Sequence, residues 1–285
     1  MLKLVAMKFS VITASYNQPA WLKRCVRSVA DQPPGVEVEH IIQLKGPDPD
    51  SVEWLHANST AKVFVEDDAG MYDAWNRGLQ RVSGDVFAML NCDEQYLPGA
   101  LARVEQVFRE NPDADIVAGD YLITKETGEL ICFRRATPLR ASMILTDHLY
   151  DFTCALFFRR RVLERGIFLD LAYHKGAGDA DWVARVLLSG ARAVCVNAYL
   201  ATFTITGDNL SLHVDRTGEV GRMRKFTPRW AVVAAPLLRQ FRHVEKLLRG
   251  GYRSAPITHE VYAGADDLQR TRFVCGKPSS RHPWA

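Results

Sequence analysis

The chain has 285 residues, 47% of them apolar and 24% charged, with a net charge of +3. That size suits one large globular domain with an appendage, and the lack of any 18-residue apolar run excludes a helix that spans a membrane. The charge is divided: residues 216–285 hold 14 Lys/Arg against 5 Asp/Glu, and the remainder holds 22 against 28, so the two parts should meet different partners.

The N-terminal MLKLVAMKFSVIT is apolar but has no cleavage pattern, and it reads as part of the fold rather than a targeting segment. A strand is expected over Phe9–Ala14, closed by the loop Ser15-Tyr16-Asn17-Gln18-Pro19. A helix follows over Trp21–Ala30, with Leu22, Cys25, Val26 and Val29 on one side. Val38–Leu44 is a second strand, and Ser51 can N-cap a short helix ending near Asn58. Lys62–Val65 is a third strand. Acidic Glu66-Asp67-Asp68 leads to a helix opened by Gly70 and running to about Val82. Ser83-Gly84-Asp85 turns the chain into a Val86–Leu90 strand. Pro98–Glu110 is a helix with Pro98 near its first turn, and Asp115–Ala118 is a strand. Four alternations of β and α at short spacing predict an α/β fold, a mostly parallel central sheet with helices on both faces. The pattern then loosens: a hairpin over Asp120–Arg134, a strand over Thr153–Phe158, a basic helix from Arg159 to Arg165, a helix over Asp179–Ser189 ended by Gly190, and a strand over Ala193–Val196. Residues 1–215 read as the main domain and 216–285 as a basic helical C-terminal extension, in which Arg229–Leu248 mixes apolar residues with arginines and contains Pro236.

The chemistry concentrates in three polar loops that follow strands: Thr13–Asn17, Glu66–Gly78 and Asn91–Glu94. In a doubly wound sheet such loops lie along one edge and can build one cavity. The third is the most telling. Acids at the end of a buried strand are costly unless something uses them, and the adjacent oxygen ligands Asp93 and Glu94 suit Mg²⁺ or Mn²⁺ beside a diphosphate. The bland alternative is a polar turn. The helix that starts at Gly70 points its N-terminus at the same edge, which favours anions.

Four stretches together resemble the family 2 glycosyltransferases, enzymes with the GT-A fold: Val11-Ile12-Thr13-Ala14-Ser15-Tyr16-Asn17; Gly70 to Gly78 (GMYDAWNRG); Gly84-Asp85 through Asn91-Cys92-Asp93-Glu94; and Gly178 to Arg185 (GDADWVAR). The resemblance covers roughly residues 8–212. It implies transfer of a sugar from a nucleotide-sugar donor to an acceptor hydroxyl, usually with inversion. It places Thr13, Ala14, Ser15, Tyr16 and Asn17 around the base and ribose, Asn76 beside the donor, and Asn91-Cys92-Asp93 on the metal motif, with Asp93 as the main ligand for Mn²⁺ or Mg²⁺ and Glu94 secondary. It puts Asp179 at the catalytic acid, where it would take the proton of the attacking hydroxyl; Asp181 points elsewhere on the helix. For both, the competing reading is a pair of acids favoured by the helix dipole.

Two departures stand out. Leu44 occupies the position where the family often has the aspartate that recognises uracil, so the base is open; Asp48 or Asp68 could substitute. Asn91 replaces the first acid of the metal motif. His213, in the late loop, is either a further metal ligand or a solvated histidine, and His174 is either an acceptor contact or solvated. Arg159-Arg160-Arg161 is a phosphate contact or a solvated helix start. Residues 229–248 either lie on an anionic membrane surface or pack on the domain through their apolar stripe. Six scattered cysteines without a Cys-x-x-Cys pair give no zinc or thioredoxin-like motif and suit a reducing cytoplasm. No nucleic-acid-binding signature is present, so nucleic acid is not an expected partner. The resemblance implies assembly of bacterial surface polysaccharide on a sugar or lipid-linked glycan acceptor; with the cysteine usage and the 229–248 segment the expectation is a cytoplasmic enzyme, peripheral at the inner face of the cell membrane where that segment binds lipid. The alternatives are a nucleotidyltransferase, against which the Gly-poor first loop speaks, and a glycan- or nucleotide-binding relative without turnover.

Overall fold

Apolar residues in the first strands alternate between two buried faces, and that alternation fixes the architecture. The computed structural model describes residues 6–46, 48–174, 176–207, 209 and 218–281. Strands β1 (Lys8–Ser15), β2 (Glu37–Leu44), β3 (Lys62–Val65), β4 (Val86–Met89), β5 (Glu94–Tyr96), β6 (Ile116–Lys125), β7 (Leu130–Arg134), β8 (Leu156–Arg159) and β9 (Ala193–Ile205) form one sheet of order β3-β2-β1-β4-β8-β6-β9-β5, with β7 paired to β6. Strands β2, β3, β4, β6 and β9 run with β1, whereas β5, β7 and β8 run against it. The sheet is thus mostly parallel, as expected, and its reversed strands are confined to the second half.

Helices α1 (Pro19–Ala30) and α4 (Ala100–Glu110) cover one face; α3 (Met71–Leu79), α5 (Ala141–Thr146) and α6 (Gly178–Leu188) cover the other. In β1, Val11 packs with Cys25 and Val29 of α1, and Ile12 with Trp75 and Leu79 of α3. In β4, Val86 and Ala88 face the first layer, and Phe87 and Met89 the second. A strand buried on both sides must be a continuous apolar run, and Val86–Leu90 is one. Phe87 and Phe158 stack at its centre and Trp182 tilts against both, with ring centroids 4.8–6.3 Å apart. Gly78 lets α3 close on β1: a Cβ there would stand 2.4 Å from Ile12 Cγ2.

Several elements differ from the sequence expectation. Helix α2 (Pro49–Asn58) is capped by Asp48, whose carboxylate accepts from the Ser51 N–H at 3.0 Å, so the cap is Asp48 and not Ser51. Strand β5, only three residues long, was not foreseen, and β9 extends to Ile205, well past Val196. Both differences have one cause: residues buried among tertiary neighbours carry little local signal. The basic segments around 160 and 220 are short turns of 3-10 and α-helix, Arg160–Arg165 and α7 (Glu219–Arg224).

Helix α8 (Arg229–Leu248) has the expected bounds and continues through Pro236. The C-terminal extension is not purely helical, however. It ends in a hairpin of β10 (Ile257–Val261) and β11 (Thr271–Cys275), in which Ile257 and Val261 pack on Leu97, Leu122 and Phe133 of the main sheet. Arg270 locks the hairpin down by an ion pair to Asp31 at 2.6 Å. The six cysteines are free thiols, and no described helix is long and apolar enough to cross a membrane.

Candidate active site

The carboxyl ends of β1, β2, β3, β4 and β9 lie at one edge of the sheet, and the loops that leave them line a cavity of about 440 Å³. That volume is ordinary for a small-ligand site. From the first loop, Ala14, Ser15 and Tyr16 line it; Tyr16 is 59% exposed, with Lys45 Nζ 5.5 Å from its ring centre. Thr13 does not reach the cavity: it is fully buried, and its hydroxyl bonds His40 Nε2 at 2.8 Å. Asn17, at φ 52°, makes the left-handed turn that delivers the chain to α1. Its side chain is outside the lining.

The Asn91–Glu94 segment is a tight turn between β4 and β5, and all four residues line the cavity. Glu94 is almost fully buried, and its carboxylate curls back to accept from the Asn91 N–H at 2.7 Å. Cys92 points to Gln18 Oε1 at 2.8 Å. The Asp93 carboxylate accepts from Asn209 Nδ2 at 3.1 Å, and Asn209 is itself held by the Thr204 carbonyl and the Thr206 N–H. Burial pushes the Asp93 carboxyl up to about 6. Burial, reinforced by the Asp93 charge, pushes Glu94 well above the usual range.

Asp179 lines the same cavity from the first turn of α6. Its carboxylate accepts from the Ala180 N–H, and burial lifts it to about 6. The helix start is held by Tyr72. The Gly178 N–H donates to the Tyr72 hydroxyl at 3.0 Å, and a Cβ on Gly178 would stand 2.6 Å from the ring. Glu219 of α7 ties down the preceding loop by accepting from the N–H groups of His174 and Ala177. Asp181 is turned away: it pairs with Arg185 Nε at 2.7 Å and accepts from the Tyr173 hydroxyl. Of the two acids, only Asp179 faces the cavity.

Other expected residues are resolved in the same way. Asn76 does not line the cavity; its amide clips Leu169, donating to the carbonyl and accepting from the N–H, both at 2.9 Å. The amide is thereby held against the Leu169 backbone, away from the cavity lining. Leu44 is buried with Leu22, Val26 and Leu55. Asp48 is spent on the α2 cap, whereas Asp68 lines the cavity beside Lys45, 3.7 Å away. His174 lines the cavity too. Arg161 is an ion-pair partner of Asp115 rather than a free phosphate contact. His213 lies outside the described residues. Sequence reasoning missed Lys45, Tyr72, Thr153 and Asn209; Asn209 sits here because β9 runs parallel to β1, so the loop after it ends at this edge.

Among the described residues, no Lys, Arg or His stands in ion-pair distance of Asp93, Glu94 or Asp179, and no group of three His, Cys, Asp or Glu forms a closed metal cage. The donor set still fits a hard divalent cation. Two adjacent carboxylates are held up by burial and mutual repulsion, and Mg²⁺-type ions use one or two protein carboxylates and take the rest of their shell from phosphates and water.

The Glycosyl transferase family 2 model matches residues 10–167. An uncharacterized glycosyltransferase of Nostoc sp. (strain PCC 7120) is 27% identical over 177 residues, 58% of this chain and 54% of that protein. A PGL/p-HBAD biosynthesis glycosyltransferase of Mycobacterium bovis is 29% identical over 126 residues, 42% of this chain and 49% of that one. The chain thus spans about half the length of these curated relatives. Among solved structures, S. aureus TarS 1-349 in complex with UDP-GlcNAc superposes with a TM-score of 0.59 at 16% identity, covering 94% of this chain and 99% of that one. A mannosyltransferase of Pyrobaculum calidifontis in complex with GDP-Man and Mn²⁺ gives 0.53 at 14%, covering 87% and 80%. These two share the fold, which is the expected GT-A arrangement. With more than half its length under the family model, and the four motifs gathered at one sheet edge, the chain belongs to glycosyl transferase family 2.

Proposed function

We propose that the chain is an inverting glycosyltransferase that moves a sugar from a nucleoside-diphosphate donor to an acceptor hydroxyl. One observation carries this reading: Asp93, Glu94 and Asp179 line a single cavity, and among the described residues none of the three has a basic side chain in ion-pair distance. Carboxylates kept unpaired at such a cost are a functional-site signature.

The roles follow from placement. Asp93, oriented by Asn209, would hold a divalent cation, with Glu94 behind it. Bound there, the metal would neutralise the charge that develops on the departing diphosphate. Tyr16 offers an exposed ring for the base, and Lys45 with Asp68 offers polar contacts beside it. Asp179 would accept the proton from the acceptor hydroxyl as that oxygen attacks the anomeric carbon. A carboxyl near 6 is ionised at neutral pH and still basic enough to take a proton in the transition state. Attack from the Asp179 side with departure on the Asp93 side gives inversion. The Asn76 expectation is dropped from the donor contacts, and Thr13 and Asn17 act as supports of the loop. The acceptor class we favour is a sugar or lipid-linked glycan, in surface polysaccharide assembly.

The test is a thermal-shift series with UDP, GDP, ADP and CDP, each with and without Mn²⁺ or Mg²⁺. A ligand that binds only the native state raises the midpoint by mass action. One nucleotide should raise it with metal present, and Asp93→Ala should remove the metal-dependent part. No response to any nucleotide, with or without metal, would sink the donor assignment.

A further inference from the structure

Helix α8 is docked the wrong way round for a surface helix. Such helices bury an apolar stripe and show polar residues to water. Here three charged residues, Arg242, Glu245 and Lys246, face inward. Glu245 takes both terminal nitrogens of Arg140, at 2.6 and 3.0 Å. Arg242 donates to Asp147. Lys246 is only 9% exposed, and Asp151 stands among the charges acting on it. Ala231 and Ala235 supply the close apolar contacts.

The outward face is apolar instead. Trp230, Val233, Leu237, Phe241, Val244 and Leu248 are each 52–83% exposed. Their spacing of three and four residues puts them in one row along the whole helix. A continuous exposed apolar row of this length marks an interaction surface.

The surrounding charge identifies the partner. Arg222, Lys225, Arg229, Arg239, Arg249 and Arg253 are all exposed. Between residues 218 and 255 the acids are Glu219 and Glu245, and both are turned inward. Apart from Glu245, which is shared between Arg140 and Arg249, no acid between residues 218 and 255 lies beside these cations, so a second copy packed row to row would bring like charges together, whereas helical seams between chains are normally flanked by paired charges. An apolar face rimmed by arginine and lysine is the pattern of a helix lying in the headgroup layer of an anionic bilayer.

We propose that the outward face of α8 is an interfacial membrane-binding surface selective for anionic lipid. Helix α8 packs on α5, and α5 packs on α6, which carries Asp179 in its first turn. The bilayer would therefore lie two helices from the proposed base. The surface does not depend on the catalytic reading. The corollary does rest on it: a membrane-embedded, lipid-linked acceptor would meet Asp179 from this side.

The test is co-sedimentation of the full chain with phosphatidylcholine vesicles and with vesicles that also contain phosphatidylglycerol. Wild type should pellet with the anionic vesicles, less so at high salt, and poorly with phosphatidylcholine alone. The double variant Leu237→Glu/Phe241→Glu changes two exposed side chains, so its melting curve should match wild type while bound protein falls at least ten-fold. Asp179→Asn should bind vesicles as wild type does, which separates failure of this proposal from failure of the catalytic one. Equal pelleting of wild type and the double variant overturns the proposal. So does a wild-type dimer in light scattering that the double variant converts to monomer without any vesicle binding, because the row is then a seam between copies.

Discussion

Two pairs of acids at opposite ends of the central sheet are treated in opposite ways. Near the amino ends, Asp115 is buried just before β6, and burial alone would raise its carboxyl. Arg161 at 2.6 Å, Arg165 at 3.1 Å and the Arg192 N–H hold it below the usual range instead. Glu39 in β2 is likewise opposed by burial, but Lys62, Ser10 and Ser83 bring it down to about 2. At the carboxyl ends, Asp93 and Asp179 are raised to about 6 by burial, with no cation in ion-pair distance among the described residues. The first pair is neutralised by neighbouring cations; around the second, among the described residues, no cation does so, and under the proposed function a bound metal would answer that charge.

The largest test of that contrast is Asp179→Asn. Removing the base while keeping the shape should lower kcat by roughly 10²–10⁴-fold, the usual range for general base catalysis. Donor binding by calorimetry should be unchanged. Near wild-type turnover would reassign the base.

The next two tests carry opposite signs. Asp115→Ala removes the acid that Arg161 and Arg165 share, and should cost about 2 kcal/mol in urea unfolding; it stays near that value because the two arginines are partly exposed and can return to water. Asp93→Asn should stabilise the metal-free protein at pH 7.5 by about 1 kcal/mol, after discounting for partial exposure. The sign follows from linkage. A carboxyl whose pKa is higher in the folded state than unfolded favours folding less as pH rises through that interval, and above about 6 the penalty is complete. The same variant should lose the Mn²⁺-dependent response to nucleoside diphosphate. A destabilised Asp93→Asn would mean that this edge is compensated after all, and the contrast between the two ends would fail.

The sequence disclosed the half of the molecule where local and tertiary signals agree. The parallel strands, α3, α6 and α8 were readable because their apolar period is unbroken, and the placement of Asp93 and Asp179 beside one cavity because each follows or begins such an element. Asn76 misled because an asparagine in a helix looks the same whether it faces a ligand or clips a loop, and only the Leu169 backbone decides. Asn209 was hidden because the burial that extends β9 to Ile205 has no local mark. The inverted docking of α8 was equally hidden: its sequence is amphipathic either way, and the face turned inward is set by Arg140 and Asp147, about a hundred positions away.

The finest test addresses what sets the basicity of Asp179. Burial is the main cause of its rise, and the charge of Glu219 adds to it. Glu219 also grips the His174–Ala177 loop, so it acts on the base by position as well as by field. With Asp179 ionised in the active form, kcat/KM should climb with pH through about 6 and level off above it. Glu219→Gln keeps the side-chain shape and an acceptor oxygen but removes the negative charge. The climb should then shift to lower pH, because ionising Asp179 no longer meets a like charge. A purely structural role for Glu219 would lower the plateau and leave the midpoint in place, so the position of the limb, not the height of the curve, decides between field and scaffold.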